Sequence, residues 1–171
     1  LDLGRTGWLG LGWPVEHGGQ ARGPREQLAL MEVMERAEAP RAGAAVQVNA
    51  LLMHGTDAQR ARYLPEILCG QAMHGMGYSE PDYGSDVASI VTRAVRDGDE
   101  WVINGAKMWT TMAHESKWLI LRTRTNPDVP KHKGLTMFFL PMDTPGITVE
   151  PVPTMGTEKT NATFYDNVRV G

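Results

Sequence analysis

The hydrophobic period of the chain changes near residue 72, and that change limits what it can fold into. Upstream, Leu30, Met31, Met34 and Ala37 recur at helical spacing, with Glu32, Glu35 and Arg36 between them. Pro24 suits the first turn of this helix, where its missing N–H costs nothing, and Pro40 is expected to end it. A second apolar segment, 44–53, ends before Gly55, a residue suited to closing a helix. Thr56 followed by Gln59 fits a capping box opening a third helix through Tyr63, which Pro65 is expected to break into a turn ending at Gly70. Downstream the apolar residues gather in short runs rich in Val, Ile, Thr and aromatics. Val91 to Val95, Trp101 to Ile103, Trp118 to Thr125, Leu135 to Leu140, Ile147 to Val152 and Thr163 to Val168 read as strands. Asp97-Gly98-Asp99 marks a hairpin, and Asn104-Gly105 reads as a type I′ turn that starts a new strand. The expected fold is α+β: a helical segment over 1–72, then an antiparallel β-barrel or sandwich over 73–171.

Composition closes off several function classes. At 171 residues, with 42% hydrophobic and 22% charged, the chain can bury a core of ordinary size. A net charge of -3 with scattered Lys and Arg predicts no nucleic-acid partner. No apolar run approaches the ~20 residues of a transmembrane helix. Cys69 is the one cysteine, so no internal disulfide forms; before Gly70 it is expected to be a small buried residue. His17, His54, His74 and His132 show no metal-like spacing, and no metal site is expected.

Two segments carry chemistry. Tyr78-Ser79-Glu80-Pro81-Asp82-Tyr83-Gly84-Ser85-Asp86 lies at the handover and is rich in hydroxyls, Gly and Pro. By residue type alone it is open between a cradle for an anion such as a pyrophosphate and a tight turn capped by Ser85 or Asp86. The second segment is Asn104 to Thr111. Alternation along a strand puts Trp109 and Thr111 on one face, where an indole and a hydroxyl suit a flat aromatic cofactor, although a strand Trp is as readily core.

Together the segments resemble the acyl-CoA dehydrogenase family. Ser79 to Asp86 matches the family's [Ser/Thr]-Glu-Pro-x-x-Gly-Ser-Asp loop, and Asn104 to Thr111 matches its Asn-Gly-x-Lys-x-Trp motif. Gly12 to Gly19, Gly55 to Arg60, Tyr63 to Pro65, Asp143 to Gly146 and Phe164 to Val170 match further family segments in the same order. The resemblance implies noncovalent FAD, an acyl-CoA substrate, and α,β-dehydrogenation with hydride transfer to flavin N5. It places Met76, Tyr78 and Ser79 along the flavin ring, with Ser79 at the pyrimidine edge. Gly84 and Ser85 fall near the pyrophosphate, and Ser85 also near the substrate's pantetheine. Trp109, Thr110 and Thr111 complete the cofactor set, with Trp109 beside the ring and Thr111 donating near N5. Glu80 and Asp86 are expected to bond loop backbone N–H groups.

The resemblance also implies a glutamate base in a C-terminal helical domain, so no residue here is assigned as catalytic. A fragment is therefore expected, binding FAD weakly and inactive by itself. The implied partners are an electron-transfer flavoprotein and further copies of the chain, as a tetramer or dimer. The implied location is the bacterial cytoplasm, with the mitochondrial matrix left open. The alternatives are a noncatalytic subunit or binding module of the same fold, or an oxidase passing electrons to oxygen. Met112-Ala113-His114 stands where the family often has Asn-Gly-Gly. His114 is expected to be an exposed loop residue, and Lys131-His132-Lys133 a solvated basic loop.

Overall fold

The computed structural model describes residues 2–39, 45–156 and 159–171. The chain forms two compact units, Leu1–Met73 and His74–Gly171.

The first unit is helical: α1 (Asp2–Arg5), α2 (Pro24–Arg36), α3 (Ala45–His54) and α4 (Asp57–Leu68), with short 3-10 turns at Trp8–Gly10 and Val15–His17. Pro24 occupies the first turn of α2 as expected. The stop assigned to Pro40 and the first residue of the 44–53 segment lie outside the described residues. The capping box forms as read: the Gln59 N–H donates to the Thr56 hydroxyl at 3.2 Å, and the Thr56 N–H donates to Gln59 Oε1 at 2.9 Å. Two expectations fail here. First, α4 runs straight through Pro65. Pro65 and Ala61, the residue one turn before it, are both exposed, so water can serve the carbonyl that Pro65 leaves without a donor, while Leu64 and Ile67 anchor the last turn in the core. The helix then ends in a Schellman motif, with Gln71 N–H donating to the Glu66 carbonyl, Gly70 N–H to the Ile67 carbonyl, and Gly70 at φ 65°. Second, Cys69 is exposed, because it caps the solvent end of that turn.

The second unit is a seven-stranded, curled sheet: β1 (His74–Gly77), β2 (Arg93–Asp97), β3 (Glu100–Thr111), β4 (Trp118–Arg124), β5 (Leu135–Pro141), β6 (Ile147–Val152) and β7 (Thr160–Val170). The order is β1-β4-β2-β3-β7-β6, with β5 on β4. Most pairings are antiparallel, but β1 runs parallel to β4, His74 opposite Trp118 through Gly77 opposite Leu121. The Asp97–Gly98–Asp99 hairpin joins β2 to β3, with Asp97 opposite Glu100. Ala94, Ile103, Leu119, Leu121, Leu140, Tyr165 and Val168 form the core of this unit.

Asn104-Gly105 makes no hairpin, which corrects the type I′ reading. Both residues lie inside β3, and the pairing to β7 shifts there because β7 carries an extra residue. Asn104 Oδ1 accepts the Asn167 N–H at 2.9 Å, and Asn167 takes up the bulge with φ 50°. Gly105 sits at φ 148° with its α-carbon against Thr92, where a Cβ would meet side-chain atoms at 2.6 Å. The glycine serves close strand packing here, not a turn.

Candidate functional site

The loop after β1 folds back immediately. Glu80 N–H donates to the Tyr83 carbonyl at 2.8 Å and Tyr83 N–H to the Glu80 carbonyl at 3.2 Å, so Pro81 and Asp82 form a tight turn. Gly84, Ser85 and Asp86 are exposed beyond it, and a Cβ placed on Gly84 would meet nothing within 4 Å. A 3-10 turn, Val87–Ser89, then leads to β2.

The two acidic residues of the loop behave differently. Glu80 is buried and accepts the N–H groups of Val91 at 2.7 Å and Thr92 at 2.8 Å, so it bonds backbone as expected. It also pairs with Lys107 Nζ at 2.9 Å. Burial pushes the Glu80 carboxyl up, but hydrogen bonds from Thr92, Val91 and Lys107 outweigh this and hold it below the usual carboxylate range. Asp86 departs from the expectation. It stands at the N-cap of the 3-10 turn without capping it, and accepts instead from the Ser89 hydroxyl and Lys131 Nζ, each at 2.6 Å. These bonds lower its pKa, the one from Lys131 foremost. Lys131 is thus engaged by the loop rather than simply solvated.

The far end of β3 carries the second motif. Between Lys107, opposite Thr163, and Thr110, opposite Asn161, β3 gains one residue over β7. The extra length is taken up at Trp109, which adopts φ 62° and leaves its indole 58% exposed. A left-handed conformation in so bulky a residue costs about 1–3 kcal/mol and persists only where its surroundings fix it. The Met108 N–H turns away from β7 and donates to the Ser79 carbonyl at 2.9 Å, tying this bulge to the loop. Thr111 is exposed beyond it.

The structure therefore brings Ser79 and the Trp109 bulge together on one hydrogen bond. Met76, 41% exposed, lies on β1, and Tyr78 follows its end, just before Ser79. The Arg122 guanidinium stacks 4.9 Å from the Tyr78 ring centroid, and the Tyr78 hydroxyl donates to Met137 Sδ at 3.3 Å. Burial raises the Tyr78 pKa, and Arg122 works against it. Thr110 stands apart from the other predicted residues: it is fully buried, on the side opposite Trp109 and Thr111, and its hydroxyl has no partner among the described residues. His114 is exposed as expected, and its Nδ1 lies 2.9 Å from Asn161 Oδ1.

This surface suits the cofactor that the resemblance implies. An exposed indole and an exposed thioether offer apolar area for a ring system, and the hydroxyls of Ser79, Ser85 and Thr111 make no hydrogen bond among the described residues. No group of three or more metal-ligating side chains occurs among those residues. Sequence reasoning overlooked Lys107. Its signal was a lysine on the inward parity of a strand, facing the glutamate of the other motif.

Comparison with known proteins places this α+β chain in a family. The chain belongs to the acyl-CoA dehydrogenase family: residues 2–71 match the family's N-terminal domain and 75–168 its middle domain. These are FAD-dependent flavoprotein oxidoreductases of acyl-CoA metabolism. The chain is 42% identical over 171 residues to the acyl-CoA dehydrogenase FadE29 of Mycobacterium tuberculosis, covering 98% of this chain and 44% of FadE29. Among solved structures it matches the Tcur3481-Tcur3483 steroid ACAD with TM-score 0.95 and 44% identity, over 99% of this chain and 44% of that one. A glutaryl-CoA dehydrogenase from Mycobacterium smegmatis in complex with FADH2 matches with TM-score 0.82 and 29% identity, over 99% of this chain and 44% of that one. The chain thus spans less than half the length of these relatives.

Proposed function

We propose that this chain is one wall of the flavin site in an FAD-dependent acyl-CoA dehydrogenase. The observation that carries the reading is the Trp109 bulge: a strained, outward-turned indole fixed to a loop whose Ser79 and Ser85 hydroxyls are uncommitted. Met76, Tyr78 and Trp109 offer apolar and aromatic surface to the isoalloxazine. Ser79 and Thr111 hold hydroxyl donors toward its edge, and a donor near N5 favours the negative charge of the reduced ring. Ser85 and the backbone around Gly84 take the pyrophosphate, and Ser85 the pantetheine of the acyl-CoA. Thr110 contributes through its backbone alone, since its side chain is turned inward. Bound FAD would supply the hydride acceptor for the β-hydrogen of the acyl thioester.

The base that removes the α-proton lies outside this stretch. Glu80 is unsuited to the role: it is buried, and its two oxygens already accept Val91 N–H, Thr92 N–H and Lys107. This stretch alone therefore binds FAD weakly and turns nothing over. The longer protein works with copies of itself or a related chain, passes electrons to an electron-transfer flavoprotein, and acts in the cytoplasm. Its similarity to a steroid ACAD favours a bulky, steroid-derived acyl-CoA.

The test is the purified longer protein with FAD. Flavin absorbance that bleaches on adding acyl-CoA supports the reading, and protein that takes up no FAD overturns it. Peroxide release during turnover would move the acceptor to oxygen. Thr111→Val, nearly isosteric, should slow flavin reduction roughly tenfold or more with the fold intact. An unchanged rate would remove Thr111 from the N5 position.

A further inference from the structure

We propose that the buried Glu80–Lys107 pair is a positioning device that holds the Trp109 bulge and the Ser79 backbone in register with each other. The proposal rests on the flavin reading above for its consequence, but not for its geometry. The Lys107 side chain is 0% exposed and that of Glu80 3% exposed. Lys107 Nζ donates to Glu80 Oε1 at 2.9 Å and to the Tyr78 carbonyl at 3.2 Å. Glu80 in turn accepts from Val91 and Thr92 at the entry to β2. The Thr92 hydroxyl donates onward to the Ala106 carbonyl at 3.2 Å, beside Lys107. One ion pair therefore ties the exit of β1, the entry of β2 and the middle of β3.

The bulge begins one residue later. Met108 N–H, released from the β7 ladder, donates to Ser79, the neighbour of Glu80. On the other side Thr110 and Thr111 are again paired to β7. Trp109 is thus suspended between a fixed point at Lys107 and another at Thr110, and its left-handed backbone is imposed by both. Stability alone does not require charge here. A buried ion pair seldom outperforms well-packed apolar residues of similar volume, because both ions must be stripped of water. Directional bonds at fixed angles are what such a pair adds, and here they join the backbone carrying Tyr78 and Ser79 to the strand carrying Trp109.

The double variant Glu80→Gln/Lys107→Met in the longer protein tests this. It removes both charges with at most one heavy atom lost from either side chain, and the glutamine amide still accepts one backbone N–H, so the variant should fold with a modestly lower thermal midpoint. The Met108 amide should exchange with deuterium roughly a hundredfold faster, with or without FAD. FAD affinity should fall roughly tenfold or more, the visible circular dichroism of the flavin should change, and kcat should fall more than KM rises. A folded double variant with parental Met108 exchange and parental flavin dichroism overturns the proposal. Should the double variant fail to fold, Glu80→Asp keeps the charge and shortens its reach. The same acceleration at Met108 is then expected, and parental exchange overturns the proposal equally. A parent that takes up no FAD, yet whose Met108 exchange depends on the pair, sinks the flavin reading and leaves the clasp standing.

Discussion

The helical and sheet units solve the burial problem differently. In the sheet unit Ile103, Leu119, Ile120, Leu121, Leu140 and Val168 are completely buried, and so is the charged side chain of Lys107. In the helical unit α2 runs for thirteen residues without burying one, and Leu28, Met31 and Val33 remain 66%, 66% and 63% exposed. The long strands β3 and β7 explain the sheet side, since their ladder joins residues some sixty positions apart in one hydrogen-bonded frame. A helix satisfies its own backbone, so α2 needs only one face against the unit, where Gln27, Leu30 and Met34 are half-buried. The helical unit buries Val48, Leu51, Leu64 and Ile67 between α3 and α4 but leaves α2 largely in water, and the candidate site belongs to the more fully packed sheet unit. Its loop and bulge are therefore held by bonds into a rigid frame, as a preorganised site requires.

The largest effect that would sharpen this contrast comes from breaking the interior ion pair on one side only. Lys107→Met leaves the Glu80 carboxylate buried and unpaired, and should cost about 3–5 kcal/mol. Urea denaturation, read together with hydrogen exchange at β3 amides, measures it. A loss below about 1 kcal/mol would mean that Glu80 reaches water, and the sheet unit would be less closed than described.

Acid gives the next largest effect. Glu80 is held below its ordinary value of 4.5, so the unfolded chain takes up that proton first. The contribution of its charge is complete above the ordinary carboxylate range and is lost as pH falls through the lower, folded value. The sheet unit of the parent should therefore lose stability more steeply below pH 4.5 than the Glu80→Gln/Lys107→Met variant does. Equal slopes would assign the acid sensitivity to other carboxylates, Asp86 first among them.

Much of the fold was legible where local chemistry decides it. The capping box at Thr56 and Gln59 and the Asp97–Gly98 hairpin are written in adjacent residues, and both formed. Features set by distant partners were not legible. β1 reads His-Gly-Met-Gly, a poor strand by propensity, and exists because it lies beside β4, where Leu119 and Leu121 fill the space a Cβ would take on Gly75 and Gly77. Asn104-Gly105 has the composition of a turn, yet Thr92 and Asn167, far along the chain, make it part of a strand. In the site, alternation alone separated Thr110 from Trp109 and Thr111, but nothing local shows that Trp109 turns outward through a left-handed bulge. Lys107 was hidden for the same reason, because its meaning depends on Glu80, 27 positions earlier.

The smallest effects bear on the helical unit and bring the comparison to its weakest point. Thr56→Ala removes the acceptor for the Gln59 N–H at the start of α4 and should cost about 1 kcal/mol, seen as faster exchange across the first turn of that helix. Met31→Ser, on the exposed face of α2, should change stability by less than about 0.5 kcal/mol, because a side chain already in water has no burial to lose. The two substitutions together separate a helix held by its own ends from one held by a covered face. If Met31→Ser in the longer protein costs as much as Thr56→Ala, the α2 face is covered there, and the contrast between the units belongs to this stretch alone. If it costs nothing there as well, the Met31 face stays in water, and α2 is held by its half-buried face of Gln27, Leu30 and Met34, with the exposed Arg36–Glu32 pair at 2.6 Å adding a few tenths of a kcal/mol.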